Sequence, residues 1–309
     1  MNYMTIEETA AKWNVSPRQV RGYCASGRVE GAMFEQGEWR VPADAAKPAR
    51  KSRVRPPSKS ISAILGAERK AKMPGGIYHR LQIDFTYNSN RIEGSRLTHE
   101  QTRWIFETRT VGEIGADVPV DDIIETANHF HCIDTVIASA GAALTERYIK
   151  RLHAILKGGT TDSRNDWFAV GDYKRVANVV GDRDTTAPKN VRREMAELLS
   201  WYGTTTPAFE DIVEFHVRFE SIHPFQDGNG RVGRLIALKE FLKHGMTPFI
   251  IMDEMRRFYY LGLQEWQGRA HSRSRLLDVF RTGQDIFAAQ LRRFGHVSAA
   301  DAADKRDGR

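Results

Sequence analysis

Twelve consecutive residues, His223-Pro224-Phe225-Gln226-Asp227-Gly228-Asn229-Gly230-Arg231-Val232-Gly233-Arg234, bring together a base, an acid, a glycine-framed turn and two guanidinium groups. A histidine can take a proton from an incoming hydroxyl. Glycines on both sides of Asn229 tolerate unusual dihedrals and let the backbone come close to a ligand. A helix starting there offers unpaired N–H groups and a partly positive end, which together cradle phosphate oxygens. Arg231 and Arg234 are three apart, so on a helix they share a face and both can reach an anion. Asp227 is a hard oxygen ligand beside that anion, suited to Mg²⁺ shared with phosphates. The order of parts spells phosphate-directed transfer to a hydroxyl. Each part alone has a plain structural reading, such as a turn or a helix-end histidine. Their joint occurrence carries the chemistry.

Two helices must present this loop. Ile212, Val213, Phe215, Phe219 and Ile222 recur at helical spacing before it, and 235–242 continues as a more buried helix after it. Gly228, Asn229 and Gly230 then sit where the second helix begins. Phe225 is expected to anchor the loop in the core.

The stretch resembles the Fic family signature, His-Pro-Phe-x-(Asp/Glu)-Gly-Asn-Gly-Arg-x-x-Arg, at every fixed position. Further upstream, Ser89, Glu93 and Gly94 resemble that family's inhibitory motif, (Ser/Thr)-x-x-x-Glu-(Gly/Asn), placed ahead of the core. Ser89 and Glu93 are four apart and stack on one helix face, which Gly94 can close. The resemblance implies a mainly α fold, a helical bundle with a short β-hairpin flap. Residues 121–132 and 144–156 resemble its core helices, and Val176, Val179 and Val180 with Gly181 and Pro188 its flap. A target segment would dock on 176–188 by adding a strand. His129 and His131 are two apart on different helix faces and make a poor metal pair, whereas His153 reads as a core histidine.

The 309 residues carry a net charge of +7, concentrated at the start: residues 1–60 hold eleven Lys or Arg against six Asp or Glu. A basic module of this kind suggests nucleic acid. Thr5 to Glu8 and Ser16 to Gln19 read as capping boxes opening helices near 5–13 and 17–25. A small hairpin turning at Gln36-Gly37 would follow. This order resembles excisionase/MerR-like winged helix-turn-helix modules, whose second helix would present Arg18, Gln19 and Arg21 to DNA. Expected boundaries are 1–44 for this domain, 45–60 for a basic flexible linker, 61–142 for the helical region with the inhibitory motif, 143–295 for the catalytic core and 296–309 for a disordered tail. Two cysteines without metal-ligand spacing, no expected signal peptide and no apolar run near the roughly 20 residues of a membrane span place the chain in the cytoplasm. A homodimer is left open.

The resemblance implies a protein adenylyltransferase. His223 would be the general base, Gly228, Asn229, Gly230, Arg231 and Arg234 would bind ATP, Asp227 would hold Mg²⁺, and Glu93 would compete with the γ-phosphate for Arg234. Alternatives are a DNA-binding regulator whose Fic domain senses nucleotide, removal of AMP from a target, and transfer of another nucleotide.

Overall fold

The computed structural model describes residues 2–25, 28–35, 38–48, 60–112, 117–181, 183–268 and 271–296. Side chains of Arg18 and Ala25, the expected turn at Gln36-Gly37, most of the expected linker and the tail beyond His296 lie outside that set. The chain divides into two compact units, Met1–Pro57 and Ser58–Arg309.

In the first unit, α1 (Ile6–Trp13) and α2 (Pro17–Ala25) precede β2 (Met33–Glu35) and β3 (Glu38–Pro42). Thr5 caps α1 in a reciprocal box with Glu8, whose carboxylate accepts the Thr5 N–H at 2.8 Å. Ser16 Oγ accepts from the Gln19 N–H at 3.3 Å. A further strand, β1 (Tyr3–Met4), pairs antiparallel with β3 to give the order β1-β3-β2. Two residues are too short for a strand pattern to be legible in the sequence. Ile6, Ala10, Trp13, Val20, Cys24, Val29 and Val41 form this unit's own core.

The second unit is helical. Its elements are α3 (Ile61–Ala71), α4 (Ile77–Ile92), α5 (His99–Thr108), α6 (Val120–Ala138), α7 (Glu146–Lys157), α8 (Pro188–Gly203), α9 (Phe209–Ile222), α10 (Asn229–Lys243), α11 (Arg256–Gln267) and α12 (Ser274–Arg293). α10 lies at the centre, packed against α4, α6, α7 and α9. It is buried around nearly its whole circumference, and the charges it buries, Arg231, Arg234, Lys239 and Glu240, are all paired. Between α7 and α8, β4 (Val179–Val180) and β5 (Arg183–Asp184) pair as a two-stranded antiparallel hairpin. α4 ends at Ile92, so Glu93 caps the helix instead of lying within it, and Gly94 follows with φ +100°. Among the described residues, no helix is long and apolar enough to cross a membrane.

Candidate active site

α9 stops at His223, which adopts a left-handed conformation with φ +51° and closes the helix by donating its N–H to Phe219 O at 2.9 Å. Pro224 cannot extend the helix. Phe225 is fully buried, its ring stacked on that of His153 with centroids 4.0 Å apart. Asn229 then clamps the loop: its Oδ1 accepts the Phe225 N–H at 2.8 Å and its Nδ2 donates to Phe225 O at 2.9 Å. The Asn229 side chain is therefore spent on loop shape, leaving only main chain for a ligand. Gly228 caps α10 with φ +80°. The expected helix start is where the structure has it.

The two arginines are buried but aimed at different carboxylates. Arg234 donates through Nη2 to Glu93 Oε1 at 2.7 Å and to Ser89 O at 2.8 Å, through Nε to Ser89 Oγ at 3.0 Å, and through Nη1 to Tyr259 OH at 3.3 Å. A Cβ on Gly230 would collide with Glu93 Oε1, so that carboxylate lies directly over the first turn of α10. Arg231 instead bonds Glu125 on α6 and reaches Asp227 Oδ2 at 3.4 Å. Lys157 joins the same cluster, bonding Glu125 and, at 2.6 Å, Asp227 Oδ2. The spacing alone had both guanidiniums turned to one anion; the structure divides them, Arg231 going to Glu125 on α6 and Arg234 to Glu93 just beyond α4.

Charge states follow from these contacts. Burial pushes the His223 imidazole down to about 4, with the Lys174 ammonium adding to the effect. At neutral pH the ring is thus uncharged and able to accept a proton. Burial favours a protonated Asp227, but Arg231 and Lys157 outweigh it and hold the carboxyl well below its ordinary range. Burial likewise opposes a charged Arg234, and Glu93 more than offsets it. Among the described residues, no three His, Cys, Asp or Glu side chains gather as a metal cluster.

The hairpin is fastened to the loop at its root. The Lys174 N–H donates to Pro224 O at 2.9 Å, and its Nζ donates to Asn178 Oδ1 at 2.7 Å and Thr185 Oγ1 at 2.5 Å. Asn178 Nδ2 donates to Phe225 O at 3.2 Å. Val179 and Val180 remain exposed.

A model of the Fic/DOC family matches residues 143–240, which contain His223, Asp227 and both arginines. The chain carries a Fic/DOC domain. Among curated relatives, "Protein adenylyltransferase Fic" of Nematostella vectensis is 26% identical over 178 residues, 56% of this chain and 40% of that protein. The relative of the same name from Drosophila melanogaster is 28% identical over 206 residues, 63% of this chain and 38% of that protein. The chain thus spans about two fifths of the length of these relatives. Among solved structures, a Fic domain containing signaling protein from Bacteroides thetaiotaomicron superposes with a TM-score of 0.58 at 23% identity, covering 75% of this chain and 94% of that one. Fic-1 (aa134 - 508) from C. elegans gives 0.58 at 20% identity, covering 76% and 70%. These likenesses are of fold.

Ser89, Glu93 and Gly94 precede the matched Fic/DOC residues, yet the structure brings the first two against Arg234. Glu125, Lys157 and Glu220 border the site without having been singled out. Glu220 alone had a local signal, three residues before His223; the others reach the site through tertiary packing. His129 bonds Thr86 Oγ1 at 3.0 Å, and His153 accepts the Gly171 N–H at 2.9 Å, both as buried core groups. In the first unit, Gln19 and Arg21 are exposed on α2, and Arg21 pairs with Glu7 at 3.3 Å.

Proposed function

We propose that the Fic/DOC domain, together with α4, is a protein adenylyltransferase that moves AMP from ATP to a Ser, Thr or Tyr hydroxyl of a target protein and is held off by Glu93. One observation carries the reading. The Glu93 carboxylate rests on the first turn of α10 against Arg234, so an anion of this chain already occupies the seat that suits a phosphate. The names of the curated relatives support the same chemistry.

His223 takes the proton of the attacking hydroxyl, a role worth roughly 10²–10⁴-fold. The oxygen bonds to the α-phosphorus as the bond to pyrophosphate breaks. Main-chain N–H groups at Gly228, Asn229 and Gly230 cradle the phosphates; Arg234 holds an outer one once Glu93 has left, and Arg231 would hold another on giving up Glu125. Asp227, ionised and half-exposed, presents a carboxylate to that region, and a single carboxylate plus phosphate oxygens is a set that Mg²⁺ accepts. When bound, Mg²⁺ would neutralise charge building on the leaving pyrophosphate. The target segment aligns on the exposed edge of the 176–188 hairpin.

A charge-assisted pair such as Glu93 with Arg234 is worth roughly 1.5–3 kcal/mol, about 10–100-fold in occupancy. Glu93→Gly is therefore expected to raise transfer of α-labelled AMP to protein in a lysate by that order, and His223→Ala in the same background to abolish it. A folded Glu93→Gly variant as silent as the parent would refute the reading.

The first unit is assigned to DNA on its basic charge and its pair of short helices, with Arg18, Gln19 and Arg21 as contacts. Residues 1–44 would be that domain, 45–60 its tether, 61–142 the inhibitory region, 143–295 the catalytic core and 296–309 a tail. Cys24 and Cys132 are both free thiols, which supports a cytoplasmic setting. Sedimentation of the intact chain decides whether it is a homodimer.

A further inference from the structure

Three buried polar atoms that lack a well-formed hydrogen bond lie close together behind His223: its own Nδ1, Glu220 Oε1 and His216 Nδ1, with the main chain of Glu220 also beside the His223 ring and that of Gly233 beside His216. Glu220 and His216 both project from α9 toward Gly233 of α10. A Cβ at Gly233 would stand 2.8 Å from Glu220 Oε1 and 2.8 Å from His216 Nδ1, so the space there is kept for these two side chains. Glu220 Oε2 lies 4.0 Å from His223 Nδ1. His223 follows the last turn of α9 in a left-handed conformation, three residues after Glu220. Burying a carboxyl with an unpartnered oxygen is costly. Stability alone does not account for it.

We propose that Glu220 is a positioning residue for His223, its ionised carboxylate drawing the Nδ1–H and stabilising the imidazolium that forms when Nε2 takes the target's proton. The inference rests on the transferase reading above. The proton balance is closed: the attacking hydroxyl loses its proton to Nε2, Nδ1 keeps its own, and the new positive charge faces Glu220. A base oriented by a third group on its far nitrogen is a recurrent arrangement in acid–base catalysis.

Glu220 is not ionised at every pH. Burial and then the neighbouring Glu93, just beyond α4, push its carboxyl up to about 8, against the opposing pull of Arg234 on α10 and Arg183 on β5. His216 on α9 and Tyr259 and Tyr260 on α11 complete its titratable surroundings. His223 itself feels Lys174 at the hairpin root, the main chain of Glu220, Glu93 and Asp227. Its own proton is gone far below neutrality, so a catalytic step near pH 8 would report Glu220 and not the base. Removing Glu93 frees Arg234 to stabilise the carboxylate and moves that step to lower pH.

The test has two readouts. In the intact protein, the imidazole ¹⁵N and Hε1 resonances of His223 are followed by NMR from pH 6 to 9.5. A step with a midpoint near 8 is expected, lost in Glu220→Gln and displaced downward in Glu93→Gly. A step that persists in Glu220→Gln belongs to Lys174, also held at about 8, and overturns the proposal, as does a wild-type titration with no step. In the Glu93→Gly background, adding Glu220→Gln is expected to lower kcat at pH 9 at least about 10-fold with nucleotide Kd within about twofold, and to flatten the pH profile. An unchanged kcat with an unchanged profile also overturns it. Transfer without the NMR step removes the positioning role and leaves the transferase; the step without transfer removes the transferase and leaves the carboxyl–imidazole pair.

Discussion

Gly233 shows how one residue type can be dictated by what lies opposite. It occupies a variable position between the two arginines of the motif, yet Glu220 and His216 press against its Cα from α9. Gly233→Ala must push one of them aside and is expected to cost about 1–3 kcal/mol in denaturant unfolding, as overpacking does. An unchanged unfolding midpoint would mean that the two side chains relax freely. At this scale the sequence was half legible. His223, Asp227, Arg231 and Arg234 stand within one short stretch, where spacing can be read. Glu125 and Lys157 are separated from their partners by 106 and 70 residues, and only the packing of α6 and α7 on α10 makes them neighbours. Local order can announce a motif, whereas the counter-charges that aim its side chains come from distant turns of chain.

Among the elements, the 176–188 hairpin depends on a single buried ammonium. Lys174 ties its two sides together through Asn178 and Thr185 while its main chain holds Pro224. Lys174→Met keeps the length and apolar stem but removes the donors. The expected outcome is faster proteolytic cleavage within 176–187 and loss of protein labelling at least about 10-fold, with ATP binding retained. Equal loss of ATP binding would show that the loop itself had collapsed. The helices were the most legible elements, because α7 and α9 are amphipathic and Thr5 and Ser16 announce helix starts. α10 needed the glycine signal, since a helix buried on every face has no polar stripe to betray its period. β1 was invisible because it is strand only by virtue of β3.

The whole molecule divides into a basic unit with its own small core and a larger helical one. If the first unit grips duplex DNA, binding by the intact chain weakens at least about 10-fold between 50 and 200 mM salt, and deleting residues 1–57 removes that dependence. Salt-insensitive binding, or binding that survives the deletion, would refute the assignment. Stability is also uneven within the larger unit, and the place of Glu93 matters for that reason. It stands one residue beyond the end of α4, ahead of a glycine in left-handed geometry, where helices fray at a fraction of the global unfolding energy. On the reading proposed above, Glu93 can let go of Arg234 by a local movement at that end, with no displacement of the sixteen-residue helix behind it. If Glu93 is the latch proposed above, such a catch can open and reclose many times within the lifetime of the fold, and its set point can be tuned by whatever touches that one turn.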